Sequence, residues 1–109
     1  MTAPANGFDV YSEALEEDSQ LWQAGAEQLA SAAARLAGLG LSGTDVAPYA
    51  ESIGIVDKYE ALREAAQARA VRAAADFHQV AAALIRVARE YEATDEQHRR
   101  RFKKVEGSL

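Results

Sequence analysis

Five large side chains recur at every seventh position near the start of this sequence: Phe8, Leu15, Trp22, Leu29 and Leu36. A seven-residue apolar period keeps one stripe of a helix turned towards a neighbour, so this stretch is expected to be amphipathic and to need a packing partner. Tyr11, Asp18, Gly25, Ala32 and Leu39 are read as the alternate seam position. Glu13, Glu16, Glu17, Glu27 and Arg35 then fall on the far side. The spacing predicts a helix over 8–37 after a disordered leader, 1–7. Asp9 is its expected N-cap, and Gly38 and Gly40 are its expected stop.

Residues 38–56 break the period with Gly38, Gly40, Gly43, Pro48 and Gly54. A helical hairpin usually turns in two to eight residues, so this loop is long. It holds Leu41, Val46, Tyr49, Ile53 and Ile55 and is expected to be partly packed, with a short helical turn near Val46–Ser52. A second helix is expected over 57–104, opened by Asp57 as N-cap with Glu60 completing a capping box. Its seam is read as Tyr59, Ala66, Ala73, Val80 and Val87, with Phe77, Leu84 and Tyr91 alternating and Val71 and Ile85 widening the apolar face. Residues 105–109 form a tail. The expected fold class is all-α: one domain over 1–109, an antiparallel two-helix hairpin with a longer second arm. Each arm is roughly 45–70 Å long at the usual rise per residue.

Composition limits what such a hairpin can do alone. Alanine supplies 25 of 109 residues. It favours helix but buries little apolar area, so the core is thin and a four-helix bundle or larger oligomer is expected. There is no cysteine, which excludes disulfides, thiolate metal sites and cysteine nucleophiles. The net charge is −5 and uneven: residues 1–64 carry eleven acids and three bases, residues 65–109 six acids and nine bases. Residues 1–10 lack the basic start and apolar run of a secretory signal, and no stretch reaches the ~20 apolar residues of a membrane span.

Few groupings could carry chemistry. Asp95 and His98 have the spacing of a carboxylate–histidine metal pair, but the first helix has no histidine to complete a di-metal bundle site. His78 stands alone in the sequence. No phosphate-binding glycine loop or nucleophile elbow is present, so no enzyme activity, cofactor or metal is expected. Arg99, Arg100, Arg101, Lys103 and Lys104 form a basic C-terminal patch. Cations there complement the helix dipole, and one short cluster on an acidic protein offers too few phosphate contacts for nucleic acid to be expected. Tyr91 and Asp95 stand four residues apart, which puts an aromatic ring and a carboxylate on one helix face. That pair could dock on a partner by ring burial and charge-assisted hydrogen bonding.

The stretch Tyr91-Glu-Ala-Thr-Asp95-Glu96, followed by His98-Arg-Arg-Arg101-Phe102, resembles the C-terminal Tyr-x-x-x-Asp/Glu export signal of type VII secretion substrates. The alanine-rich run 81–91 and the loop with Pro48-Tyr49 are similar to the EspC-like family of ESX secretion-associated proteins, a likeness that covers about Val10 to Phe102. The related WXG proteins carry Trp-x-Gly in the interhelical turn. Here Trp22-Gln-Ala-Gly25 has a different spacing and lies within the first helix, so Trp22 is read as a seam or partner residue.

The resemblance implies synthesis in the cytoplasm and delivery outside the cell or to its surface without a cleaved signal peptide. It also implies recognition of Tyr91 and Asp95 by the ESX motor ATPase. Implied partners are a second copy or another small ESX helical protein, through Leu15, Trp22, Leu29, Leu36, Phe77 and Leu84, and a co-exported toxin or effector. Two other readings compete. One is a cytoplasmic helical adaptor of such a system. The other is a nucleic-acid- or membrane-binding helix acting through the basic end.

Overall fold

The structure is a computed structural model that describes the backbone of residues 7–108 and the side chains of residues 10–108. The expected leader lies outside the described residues apart from Gly7, and so does the side chain of Phe8. The described chain is all-helical. Helix α1 spans Gly7–Ala37, a 3-10 turn spans Gly43–Asp45, α2 spans Pro48–Ser52 and α3 spans Ile55–Ser108. The long helices α1 and α3 pack against each other in two compact units. One is built from α1 up to Gln23 with α3 from His78 onward; the other is Ala24–Phe77.

In the first unit, Ser12 meets Glu92 and Ser19 meets Ala81. In the second, Gly25 meets Phe77, Leu36 meets Arg63 and Leu39 meets Tyr59. As one residue number rises the other falls, so the helices run antiparallel within each unit.

Small residues form the buried seam. The buried positions of α1 are Ser12, Ser19, Ala26 and Ala33, and those of α3 are Ala74, Ala81, Ala88 and Asp95. Both series have a period of seven. The large residues at the adjoining position are only half-buried: Leu15, Trp22, Leu29 and Leu36 on α1, Phe77 and Leu84 on α3. This corrects the expected alternate seam on α1. Tyr11, Asp18 and Ala32 are exposed, Gly25 is half-buried, and the buried position is one residue further on. On α3, Tyr59, Ala66, Val80 and Val87 are exposed and Ala73 is half-buried, while their successors Ala74, Ala81 and Ala88 are buried.

The physical reason is distance. Helix axes approach more closely when the facing side chains are small, and that contact excludes branched residues. Ser19 Oγ donates to the carbonyl oxygen of Ala81 at 2.8 Å. A serine hydroxyl is a single bond beyond Cβ, so it reaches the other helix's backbone only because the two backbones are near. The same bond satisfies a fully buried hydroxyl.

Three of the four ends of the long helices also differ from expectation, the end of α1 at Ala37 excepted. α1 begins at Gly7, which puts Asp9 inside its first turn and not at the cap. It stops at Ala37, where Gly38 N–H donates to Arg35 O at 3.1 Å. α3 begins at Ile55 and runs to Ser108, outlasting the expected span of 57–104 at both ends. Asp57 therefore lies in its first turn and caps nothing. Gly54 makes the junction with φ +80, a left-handed conformation that favours glycine. In the connection, Leu41 and Val46 are half-buried, whereas Tyr49, Ile53 and Ile55 are exposed.

Glu60 closes no capping box on its own helix. Its carboxylate accepts Leu41 N–H at 2.6 Å and pairs with Arg63 at 2.6 Å. Arg63 donates onward to Leu36 O at 3.2 Å, and Tyr59 OH donates to Leu39 O at 2.7 Å. One of the last carbonyls of α1, that of Leu36, and the Leu39 carbonyl just past the helix end thus accept hydrogen bonds from α3.

The Arg63 guanidinium, with the Leu41 N–H, holds the Glu60 carboxyl below its ordinary value of 4.5. A lowered folded-state pKa adds stability that is complete above about pH 4.5 and is lost as pH falls through the lowered value. Glu60→Gln is expected to lower the Tm at pH 7 and to narrow the gap between pH 7 and pH 3.5. Equal pH slopes in both proteins would show that Glu60 does not carry this dependence.

Candidate docking site

Tyr91 and Asp95 lie one turn apart on α3, in environments that differ sharply. Tyr91 is 37% exposed, and its ring stacks on Tyr11 of α1 with centroids 6.1 Å apart and planes 25° from parallel. Asp95 is only 7% exposed, and its Oδ2 accepts from Arg99 at 2.9 Å. Between them, Glu92 accepts a hydrogen bond from Ser12 Oγ at 2.6 Å, and Ser12 is itself buried. The second turn of α1 therefore grips the same face of α3 that the sequence singles out. Tyr91 presents a partly open ring, while the carboxylate is turned inward with one oxygen held by Arg99.

The heptad reading places Tyr11 only on a seam and misses Ser12, which is one position away from the expected seam. A signal for it existed in the small-residue series Ser12, Ser19, Ala26, Ala33, which has the same period as the large one.

The expected interface residues lie along the α1–α3 contact. Leu15, Trp22, Leu29, Leu36, Phe77 and Leu84 are all half-buried, and the Phe77 ring rests on Gly25. More apolar surface is open elsewhere: Leu21 is 71% exposed, Leu62 73%, and Phe102 67%.

In the basic end, Arg99 bridges Asp95 and Glu96, and Arg100 pairs with Glu96 at 3.2 Å. Arg101, Lys103 and Lys104 are exposed and make no ion pair among the described residues. Among the described residues, no group of three or more histidine, cysteine or carboxylate side chains could hold a metal ion. No described helix is long and apolar enough to cross a membrane.

No family model, curated protein or solved structure matches this chain.

Proposed function

We propose that this chain is a helical interaction protein exported by a type VII (ESX) system, with the Tyr91–Asp95 face of α3 as its docking signal. The observation that supports this most is the exposure of the Tyr91 ring beside the Asp95 carboxylate, on the stretch of α3 that meets the start of α1. Recognition there is by ring burial and hydrogen bonding, and no bond is made or broken. The motor ATPase of the system is the receptor this reading names.

In the same reading, the two long helices with their connecting segment form a hairpin that completes its apolar burial in a four-helix bundle or larger assembly, with a small helical protein or a co-exported effector. The buried seam supports this part, because among the described residues no apolar residue larger than alanine is buried in it. A chain with so little buried area relies on association for much of its stability.

The test is the amount of protein in culture filtrate and in cells, for wild type, Tyr91→Phe and Tyr91→Ala, in hosts with and without an active type VII system. Tyr91→Phe keeps the ring and its stack on Tyr11. The expected result is release of wild type that requires the system and a drop of about tenfold or more for Tyr91→Ala, a loss of roughly 1.4 kcal/mol in docking. The intracellular level should hold. Wild type retained at full level in the native host would remove the export reading and leave a cytoplasmic adaptor in its place.

A further inference from the structure

Two oppositely charged surfaces of this chain have no counterpart among the described residues. On α1, Val10, Glu13, Ala14, Glu17 and Leu21 succeed one another at helical spacing and all are exposed, Val10 at 56% and Leu21 at 71%. Neither Glu13 nor Glu17 makes an ion pair or side-chain hydrogen bond among the described residues. On the last turns of α3, Phe102 and Val105 share a face, 67% and 58% exposed. Glu106 lies on that face as well, and Arg101, Lys103 and Lys104 surround it, so the segment is net basic. One surface is apolar with acids and the other is apolar and net basic.

The second surface cannot fold back onto the first. The antiparallel register sets Tyr11 against Tyr91 and Ser12 against Glu92, so α1, which begins at Gly7, has no described residue opposite the last turns of α3. Every residue from Glu96 to Ser108 is exposed, and α3 is unbroken through them. Residues 96–108 therefore continue α3 beyond the described residues of α1 that it packs against. An overhang of this length, unsupported in water, is marginal as a helix.

From this we infer that a second copy of this chain covers the overhang, with Phe102 and Val105 against the Val10–Leu21 stripe and Arg101, Lys103 and Lys104 against Glu13 and Glu17. In a two-fold pair each copy gives its overhang and receives the other's, so one self-complementary contact forms twice. This deepens the interaction-protein reading by naming one partner. It rests on that reading's premise that the chain acts by association, and it is independent of export. Single exposed ion pairs contribute little, but repeated pairs beside buried rings fix register and make association sensitive to salt.

The experiment is a charge swap on the full chain, read by sedimentation equilibrium with helicity checked by circular dichroism. One variant is Glu13→Lys with Glu17→Lys, and the other is Arg101→Glu with Lys104→Glu. All four positions are exposed, so both variants are expected to keep wild-type helicity near α1. Wild type is expected to self-associate, and each variant alone to do so about tenfold or more weakly. The equimolar mixture is expected to regain wild-type affinity, because both contacts are then complementary. A monomeric wild type, undiminished association in either variant, or a mixture that fails to recover would each overturn the inference. Association unchanged in the Arg101→Glu, Lys104→Glu variant, with loss of binding to anionic vesicles or to duplex DNA, would also overturn it and assign the overhang to that ligand. Secretion measured on the same variants reports on export alone and leaves the self-association result unaffected.

Discussion

Replacing Ala81 with leucine is expected to remove about 3 kcal/mol of stability, while Val80→Ala, one residue away, changes it by less than about 0.5 kcal/mol. Ala81 is 1% exposed and its carbonyl accepts the Ser19 hydroxyl, so three further carbon atoms have no space where α1 and α3 meet at Ser19. Either the helices separate and the Ser19 bond breaks, or the leucine takes a strained rotamer. Val80 is 37% exposed, and what it loses in burial the better helix propensity of alanine offsets. For a chain of this size the leucine variant should melt roughly 10–20 °C lower. Thermal unfolding followed by circular dichroism decides it. Equal melting temperatures for Ala81→Leu and wild type would mean that the small-residue seam is not where the structure puts it.

The second large effect is a reversal of sign. In an exposed helix interior, Gly→Ala stabilises by about 1 kcal/mol. At Gly25 the added methyl would lie 2.9 Å from Phe77 Cδ2 and Cε2, closer than carbon atoms pack, so the ring must move off the backbone of α1. Gly25→Ala is therefore expected to destabilise by about 1–2 kcal/mol in the wild-type background. In a Phe77→Ala background nothing opposes the methyl, and the same change should stabilise by about 1 kcal/mol. The double-mutant cycle reads a coupling of about 2–3 kcal/mol between the two positions. Additive effects would show that the ring does not rest on Gly25.

Gly25, read from the sequence as an alternate seam position, has a role that only its contact reveals. In the structure the glycine is inside α1, and its missing side chain is what admits Phe77, fifty-two positions later in the sequence. No local rule pairs the two, because the pairing depends on the antiparallel register.

The Tyr91–Asp95 face is decided in the same way. That Tyr91 and Asp95 share a side of α3 follows from the helix period alone. That the ring is partly open and stacked on Tyr11, while the carboxylate is buried and held by Arg99, depends on where the second turn of α1 lands. A recognition event at Asp95 therefore involves Arg99, and Arg99→Ala is a useful companion to Tyr91 variants in any docking assay.

The sequence by itself determined what is local. Heptad spacing, alanine content and the placing of glycine and proline settle that two long helices form, separated by a segment that begins near Gly38, although the second was expected at Asp57 and starts at Ile55. These depend on backbone propensity and period, which act within a few residues. Only the tertiary structure decided which stripe of each helix is innermost. Large residues at one heptad position and small ones beside it fit two seams a single residue apart. The close approach that lets Ser19 reach Ala81 selects the seam of small residues and leaves the leucines at its flank. Glu60 is decided in the same way. Its position suits a cap for its own helix, yet the connection after α1 comes within reach, and Leu41 N–H and Arg63 claim its carboxylate, because an unpaired N–H takes a nearby acceptor wherever the chain brings one.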